Sequence, residues 1–89
     1  MKIYFTKNFK KTYAKRIQPH KNLEKRFEER YDLFVENPKY TQLLDHPLTG
    51  KLRGYRAFSI TGDIRVVYKI INFIAYFYDI GTHNQVYGR

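Results

Sequence analysis

The spacing of apolar residues changes once along this chain, and the change restricts the fold to helices followed by strands. In the first part apolar side chains recur every three or four positions, whereas from residue 54 to residue 80 they alternate with a period near two. The second part predicts three strands, with short turns at Thr61-Gly62 and Ile71-Asn72, at about 54–60, 63–70 and 73–80. The last of them, FIAYFYDI, is almost continuously apolar, so we expect it at the centre of the sheet.

The first part predicts one strand and two helices. Residues 2–6 alternate as a short strand, and Thr6 is a suitable N-cap for the helix that follows. Two apolar stripes have helical spacing, Phe9, Tyr13 and Ile17 in one and Leu23, Phe27, Tyr31 and Phe34 in the other. Pro19 separates them, and Pro38 ends the second. We therefore predict an α+β fold of order β-α-α-β-β-β, in which a helical hairpin packs on one face of a mainly antiparallel four-stranded sheet.

Length and composition fit a single domain over residues 1–89. Hydrophobic residues make up 43% of the chain and aromatic residues 18%, which supplies a dense core and argues against intrinsic disorder. Cysteine is absent from the sequence, which excludes disulfides and thiolate chemistry. No apolar stretch is long enough for a signal peptide or a membrane span, so we expect a cytoplasmic protein without a membrane partner.

The charge of the chain points to an anionic partner. Seventeen Lys and Arg against eight Asp and Glu give a formal charge of +9. Such an excess attracts polyanions and accelerates their encounter. A nucleic acid and a protein rich in acidic residues both satisfy this charge, and the two partners are compatible with each other.

One predicted strand combines an acid and a base at strand spacing. In GDIRVVYKI, alternation puts Asp63, Arg65 and Val67 on one face, and their neighbours on the core face. We expect the first set to point away from the helices, towards an open surface. Residues two positions apart on a strand are separated by about 6.6 Å along it, so the carboxylate and the guanidinium could flank one phosphate. The alternative is a charged pair on a solvated sheet face.

Two of the three histidines lie in turns that could reach that face. His46 precedes the predicted sheet in DHPL, and His83 follows it in GTH. Imidazole titrates near neutral pH and suits proton transfer. His20, at the turn between the helices, is expected to be structural or simply exposed. No spacing of His, Asp or Glu fixes two metal ligands on one element, and nothing resembling a nucleophile elbow surrounds Ser59, so we predict neither a metal nor another cofactor.

Three segments together resemble the RelE/ParE superfamily of bacterial toxins. They are HPLTGKLRGYR before the sheet, GDIRVVY on a strand and GTHNQVYG at the end of the chain. With the order of elements, the likeness covers essentially the whole chain. It is strongest to the YafQ-like ribosome-dependent mRNA interferases and shares features with the YoeB branch. The resemblance implies a toxin that cleaves mRNA in the ribosomal A site and is neutralised by a cognate antitoxin, as a monomer or in a toxin–antitoxin hetero-oligomer.

The resemblance also implies roles for individual residues. His46 and His83 match catalytic histidines. Asp63 matches the acidic residue that YafQ-like and YoeB-like members have at this point of the chain. Arg65 matches an arginine of the RelE and YoeB branches that contacts the scissile phosphate. Tyr87 matches a terminal aromatic residue that positions or stacks on the substrate. The chemistry is attack by the RNA 2′-hydroxyl, which needs a base, a phosphate clamp and an acid but no metal. We assign these roles to His46 or Asp63, to Arg65 and to His83, and we favour His46 as the base.

Four further residues complete the implied substrate-binding set. Lys51, Arg53 and Arg56, with the basic side of the helices, would bind rRNA backbone. YafQ-like members carry a histidine where this chain has Ser59, which leaves the identity of the base less defined. Two other functions stay open on the sequence alone, a ParE-like gyrase-inhibiting toxin and a catalytically weak RNA-binding relative.

Overall fold

The computed structural model describes residues 1–88 and contains the predicted elements in the predicted order, with two additions. The three helices and five strands are β1 (Lys2–Phe5), α1 (Lys7–Arg16), α2 (Lys21–Glu36), β2 (His46–Pro47), β3 (Arg56–Ser59), β4 (Ile64–Ile71), β5 (Ile74–Thr82) and α3 (His83–Tyr87). Two single turns of 3-10 helix, Thr41–Leu43 and Gly50–Leu52, lie on either side of β2. None of the helices in this part of the chain has the length and apolar character needed to cross a membrane.

The sheet has the strand order β1-β5-β4-β3-β2; β1 and β5 pair in parallel, and the pairs β5–β4, β4–β3 and β3–β2 are antiparallel. The apolar strand β5 therefore lies inside the sheet, between β1 and β4, as its composition predicts. The α+β prediction is confirmed, but the sheet has five strands rather than four. The additional strand, β2, consists of His46 and Pro47 paired with Ala57 and Arg56. A strand of two residues, one of them proline, leaves no alternation to detect, and proline is tolerated at the edge because its missing N–H needs no partner there.

Both helices pack on one face of the sheet through the predicted stripes. Thr6 caps α1, since its hydroxyl accepts a hydrogen bond from the Phe9 amide at 3.2 Å. The core between helices and sheet is strongly aromatic, and Phe34 stacks on Phe58 with ring centroids 4.6 Å apart. Phe77 of β5 meets rings from both helices edge-on. Burial of these large side chains stabilises a domain too short to bury much else.

The strands β4 and β5 begin and end slightly later than the sequence pattern indicates, whereas β3 is shorter at both ends. The pairing of β4 with β5 shifts between Val67 and Tyr68, where β5 contains one extra residue. The hairpin that joins them turns at Asn72 and Phe73, both of which have positive φ, at 49° and 66°. A two-residue turn of this type needs left-handed backbone at both positions, and the Phe73 side chain is 90% exposed there.

The strand β5 is followed directly by the short helix α3, which no periodic pattern in the sequence predicts. Thr82 caps α3: its hydroxyl accepts from the Gln85 amide at 3.2 Å, and the Gln85 side-chain oxygen accepts from the Thr82 amide at 2.8 Å. This reciprocal capping box satisfies two amides that a five-residue helix would otherwise leave unpaired. Val86 is buried and anchors the helix. The helix therefore holds His83 and Tyr87 in fixed positions on the structure.

Candidate active site

A pocket of about 640 Å³ opens on the sheet face opposite to α1 and α2. Its walls come from residues 46–52, from β5 and from α3. The segment before β3 crosses this face, because the Tyr55 ring contacts Tyr78 of β5 and lies 5.1 Å from the Lys69 ammonium of β4. Val67 is consequently fully buried, so the expectation of an open surface along this face is wrong at that point. The remaining opening is the pocket.

His46 lies at the wall of this pocket on the edge strand β2, with its ring exposed. Its Nδ1 is 2.9 Å from the backbone carbonyl oxygen of Leu44. A carbonyl oxygen can only accept, so Nδ1 carries the proton and donates it to this bond. In the neutral ring, Nε2 then keeps its lone pair. The backbone thus fixes the tautomer in which His46 can accept a proton from a bound molecule.

His83 and Tyr87 line the same pocket from α3. They are four residues apart and therefore lie on one side of the helix. Their rings meet edge to face, with centroids 4.7 Å apart and planes at 81°. His83 is exposed, whereas Tyr87 is half-buried. The capped helix brings the C-terminal histidine to the pocket that His46 lines from β2, as the sequence predicted.

Arg65 lies beside Tyr87, on the face of β4 that turns away from the helices. Its guanidinium carbon is 5.7 Å from the Tyr87 ring centroid. Arg65 Nε and the Tyr87 hydroxyl are both buried, and neither has a hydrogen-bond partner among the described residues. Burial raises the pKa of Tyr87 above its usual value of 10.0, and the nearby Arg65 opposes the rise. Tyr87 therefore stays protonated at neutral pH and keeps a hydrogen to donate.

A family comparison decides which kind of protein this is. A family described as "Bacterial toxin of type II toxin-antitoxin system, YafQ" matches residues 1–88, which is the whole described chain. The chain belongs to the YafQ family of bacterial toxins. It is thus the toxin of a type II toxin–antitoxin system, and the expected place in the RelE superfamily is confirmed. A comparison with curated protein sequences finds no significant match.

Solved structures of YafQ proteins share this fold. The crystal structure of YafQ from E. coli strain BL21(DE3) has a TM-score of 0.81 and 25% sequence identity, over 97% of each chain. YafQ in the E. coli DinJ-YafQ complex has a TM-score of 0.78 at the same identity and coverage. A YoeB/ParE toxin from Agrobacterium tumefaciens has a TM-score of 0.76 and 20% identity, over 93% of this chain and 99% of that one, which shows likeness of fold alone.

The pocket of this YafQ-family chain contains an acid that the sequence analysis did not single out. Asp79 of β5 lines the pocket with both histidines, yet its side chain is only 3% exposed. Its Oδ1 accepts from Arg16 Nη1 of α1 at 3.2 Å and from the Ile80 amide at 2.9 Å. Arg16 also donates to the Ile80 carbonyl at 3.0 Å and so bridges α1 to the edge of β5. The available signal was an isolated acid inside the otherwise apolar run FIAYFYDI.

Asp63 and Ser59 are close to Arg65 but do not line the pocket. The strand begins at Ile64, so Asp63 lies exposed in the preceding turn, and the Arg65 guanidinium reaches its backbone carbonyl at 3.4 Å. The prediction that Asp63 and Arg65 share one strand face is therefore wrong. Ser59 of β3 pairs directly with Arg65 in the sheet and is partly buried.

The three predicted backbone-binding residues are distributed over different surfaces. Lys51 lines the pocket and is exposed, which places one cation beside the histidines. Arg53 is exposed after the second 3-10 turn and does not line the pocket. Arg56 faces the helix side of the sheet, where its Nε donates to Asp45 at 2.7 Å. Within residues 1–88, no three side chains of His, Asp or Glu gather as ligands for a metal ion.

Proposed function

We propose that this toxin is a ribosome-dependent endoribonuclease that cleaves mRNA in the A site without a metal ion. The observation that carries the proposal is that His46 and His83, from distant parts of the chain, line one pocket. The reaction is intramolecular. The ribose 2′-oxygen attacks the adjacent phosphorus, the bond to the 5′-oxygen of the next nucleotide breaks, and a 2′,3′-cyclic phosphate remains.

His46 is the group best suited to remove the 2′-hydroxyl proton. Its Nδ1 is occupied by the Leu44 carbonyl, so the proton goes to Nε2 and the imidazolium that forms keeps both hydrogen bonds. A positioned base of this kind contributes about 10²–10⁴ to the rate. Asp63 is the weaker candidate, because it lies in the turn before β4 and outside the pocket wall.

His83 is assigned as the acid that protonates the departing 5′-oxygen. It begins α3, with its ring held against Tyr87 on the side of the pocket formed by that helix. An acid and a base on different walls of one pocket suit a reaction that adds a proton at one oxygen and removes it at another. The Thr82 cap keeps the imidazole in place without occupying its nitrogens.

Cations beside the pocket stabilise the charge that develops on the phosphorane. Lys51 lines the pocket, and Arg65 lies next to it behind the Tyr87 ring. Contact between the Arg65 guanidinium and a phosphate requires that ring to turn aside, which would give both unpartnered buried atoms, Arg65 Nε and the Tyr87 hydroxyl, an oxygen to bind. Tyr87, protonated at neutral pH, donates or stacks on a base.

The partners follow from the family and from the charge. We propose that a cognate antitoxin neutralises this toxin. The support is that the similar YafQ of E. coli has been solved in a toxin–antitoxin complex with DinJ. The formal charge of +9 favours both an acidic antitoxin and the rRNA and mRNA backbone of the ribosome. The site of action is then the bacterial cytoplasm.

The test is primer extension on mRNA after induced expression of the toxin and its variants. His83→Ala and His46→Ala are each expected to lower cleavage by about 100-fold or more, because each removes one proton-transfer group. His20→Ala is the matched control, since His20 is exposed at the start of α2 and makes no side-chain capping bond. Far-ultraviolet circular dichroism of each variant verifies that it folds.

Cuts within codons that disappear in both pocket variants support the proposal. Undiminished cleavage by His83→Ala would contradict the assigned acid. DNA breaks accompanied by the SOS response, with no mRNA cuts, would instead indicate the ParE-like activity. Neither effect would indicate a protein that only binds RNA.

A further inference from the structure

A second groove of about 640 Å³ lies at the end of the sheet, where α2 has already stopped at Glu36. The segment 37–45 covers this end only in part, and we call the opening the distal groove, lined among others by Pro38, Tyr40, Leu44, Asp45, Arg56 and Ile70. It is on the helix side of the sheet, since Arg56 pairs with the core residue Tyr68. The groove shares no lining residue with the histidine pocket.

The rim of the distal groove exposes two aliphatic side chains, one of them on unfavourable backbone. Leu44 is 66% exposed and has left-handed backbone, with φ of 50°. A non-glycine residue in this conformation costs about 1–2 kcal/mol. Ile70, across the groove, is 46% exposed. Leu44 ends the first 3-10 turn in this conformation, and strained backbone beneath a large exposed apolar side chain is typical of binding surfaces.

The base of the groove is polar, and Arg56 and Lys39 supply two cations to its lining against the one carboxylate of Asp45. The Asp45 carboxylate, 8% exposed, accepts from Arg56 Nε at 2.7 Å and from the Tyr68 hydroxyl. This pairing raises the pKa of Arg56 and uses one of its five N–H groups. The Arg56 side chain is 42% exposed, so its remaining donors face the groove, and Lys39 adds a second cation at the rim. An anionic group with an apolar neighbour fits this surface.

We propose that the distal groove binds an acidic, amphipathic segment of the antitoxin, with an aliphatic side chain between Leu44 and Ile70 and a carboxylate on Arg56. The inference rests on the proposed function only in taking an antitoxin as the partner. An acidic segment complements the charge of +9. RNA fits less well, since the two exposed side chains that flank the groove, Leu44 and Ile70, are aliphatic and do not stack on bases, and the Tyr40 ring is only partly exposed.

The groove is connected to the histidine pocket through a single residue. Leu44 contributes its side chain to the groove, while its carbonyl oxygen holds His46 Nδ1. A segment bound at Leu44 can therefore act on the base of the proposed reaction without entering the pocket. This connection gives the antitoxin a route to inhibition from the opposite side of the sheet.

The experiment is an NMR titration of the whole, isotope-labelled toxin with the acetylated and amidated peptide Glu-Leu-Glu-Leu-Glu at millimolar concentration. We expect saturable shifts of the backbone amides of Leu44, Arg56 and Ile70. Ile70→Glu should weaken binding by about tenfold or more, because it places a carboxylate where the aliphatic anchor sits. Ile71→Glu is the matched control, since Ile71 has the same 46% exposure and is the next residue on the strand, with its side chain on the other face.

Three outcomes would overturn the proposal. The first is the absence of saturable shifts at the groove, or shifts that map to the histidine pocket instead. The second is an equal loss of affinity in Ile70→Glu and Ile71→Glu, which would indicate general charge repulsion. The third is binding of a charge-matched oligouridylate, and not of the peptide, at these residues, which would make the groove an RNA surface. The titration does not depend on RNA cleavage. The groove proposal can therefore hold if the nuclease proposal fails, and it can fail if the nuclease proposal holds.

Discussion

Arg16 is the residue whose side chain connects the helical layer to the pocket. It compensates the Asp79 carboxylate, which is nearly inaccessible to water at the pocket wall. A buried charge that loses its partner costs far more than a surface ion pair gains. Arg16 therefore stabilises a buried carboxylate in the pocket that both histidines line.

Replacing Arg16 by alanine is expected to destabilise the protein by about 3 kcal/mol, because Asp79 stays buried with its main compensating charge removed. Lys15→Ala is the matched control, since Lys15 is its exposed neighbour in α1 and a surface change there should cost less than about 0.5 kcal/mol. Urea denaturation of the two variants measures the difference. Equal midpoints would show that the Arg16–Asp79 ion pair does not contribute to stability.

Tyr68 gives a second prediction at this scale, on the alkaline side. Burial, followed by the hydrogen bond to Asp45, raises the pKa of Tyr68 well above its usual 10.0. The folded state thus holds this proton more tightly than the unfolded state. The stability that comes from the protonated phenol is complete below about pH 10 and is lost as the pH rises beyond it.

The measurement is the free energy of unfolding from urea curves at several pH values for the wild type and for Tyr68→Phe. The difference between the two should shrink above about pH 10 by about 1.4 kcal/mol per pH unit, since only the wild type must release that proton. At neutral pH the variant should be less stable by about 1–2 kcal/mol, because Asp45 loses a donor. Parallel curves across the alkaline range would refute the role of Tyr68.

Among the elements, α3 is the one on which the site depends most and the core depends least. Its five residues carry His83 and Tyr87, and it is fixed by Val86 and by the capping box at Thr82. An isolated helix of this length does not form in water, so its caps and its packing determine whether it persists.

Thr82→Ala should therefore lower mRNA cleavage more than it lowers stability. Loss of the cap costs about 1 kcal/mol, enough to loosen a helix of one turn and to release His83 from the pocket. Thr6→Ala removes the corresponding cap of α1, a helix that packs on the core and carries none of the proposed catalytic residues. This variant should therefore lower stability with little effect on cleavage. Primer extension and thermal unfolding, run on both variants, separate the two effects. The same ratio of effects in both would contradict the role of α3.

The elements that repeat a pattern could be predicted, and those that depend on single residues could not. The stripes through Phe9 and Phe27 define the helices, and the apolar character of β5 defines its interior position. The strand β2 has only two residues, and α3 forms through one capping interaction, so neither produces a periodic signal. That His46 and His83 line one pocket could be anticipated, because the sequence places them directly before and after the main strands of the sheet.

The predicted role of Asp63 depended on a strand boundary, which is the least reliable part of any pattern. A start one residue later leaves Asp63 in the turn. Asp79 could have been noticed as an acid in a buried strand, because an acid there needs a partner. The identity of that partner, Arg16, depends on how α1 lies against β5, and no spacing in the sequence encodes it.

At the scale of the whole molecule, the surplus of positive charge should control affinity for RNA. Each phosphate contact on a single strand contributes about −0.7 to the slope of log K against log salt. Lys51 lies at the pocket, whereas Lys25 is exposed on α2, on the other side of the sheet.

Lys51→Gln should therefore reduce the magnitude of that slope by about 0.7 for an RNA made uncleavable by 2′-O-methylation, and Lys25→Gln should leave it close to the wild-type value. Fluorescence anisotropy over a range of salt concentrations measures both slopes. An equal change in the two variants would show that binding follows net charge and does not use the pocket.

The first strand pairs in parallel with the last one, and β5 also supplies the partner of β4. The interior strand of the sheet therefore has one neighbour that is distant in sequence, since Lys2 pairs with Ile74. Contacts between distant segments slow folding, because the long intervening loop has to close before they form. The folding rate of this domain should thus depend on how readily β1 finds β5.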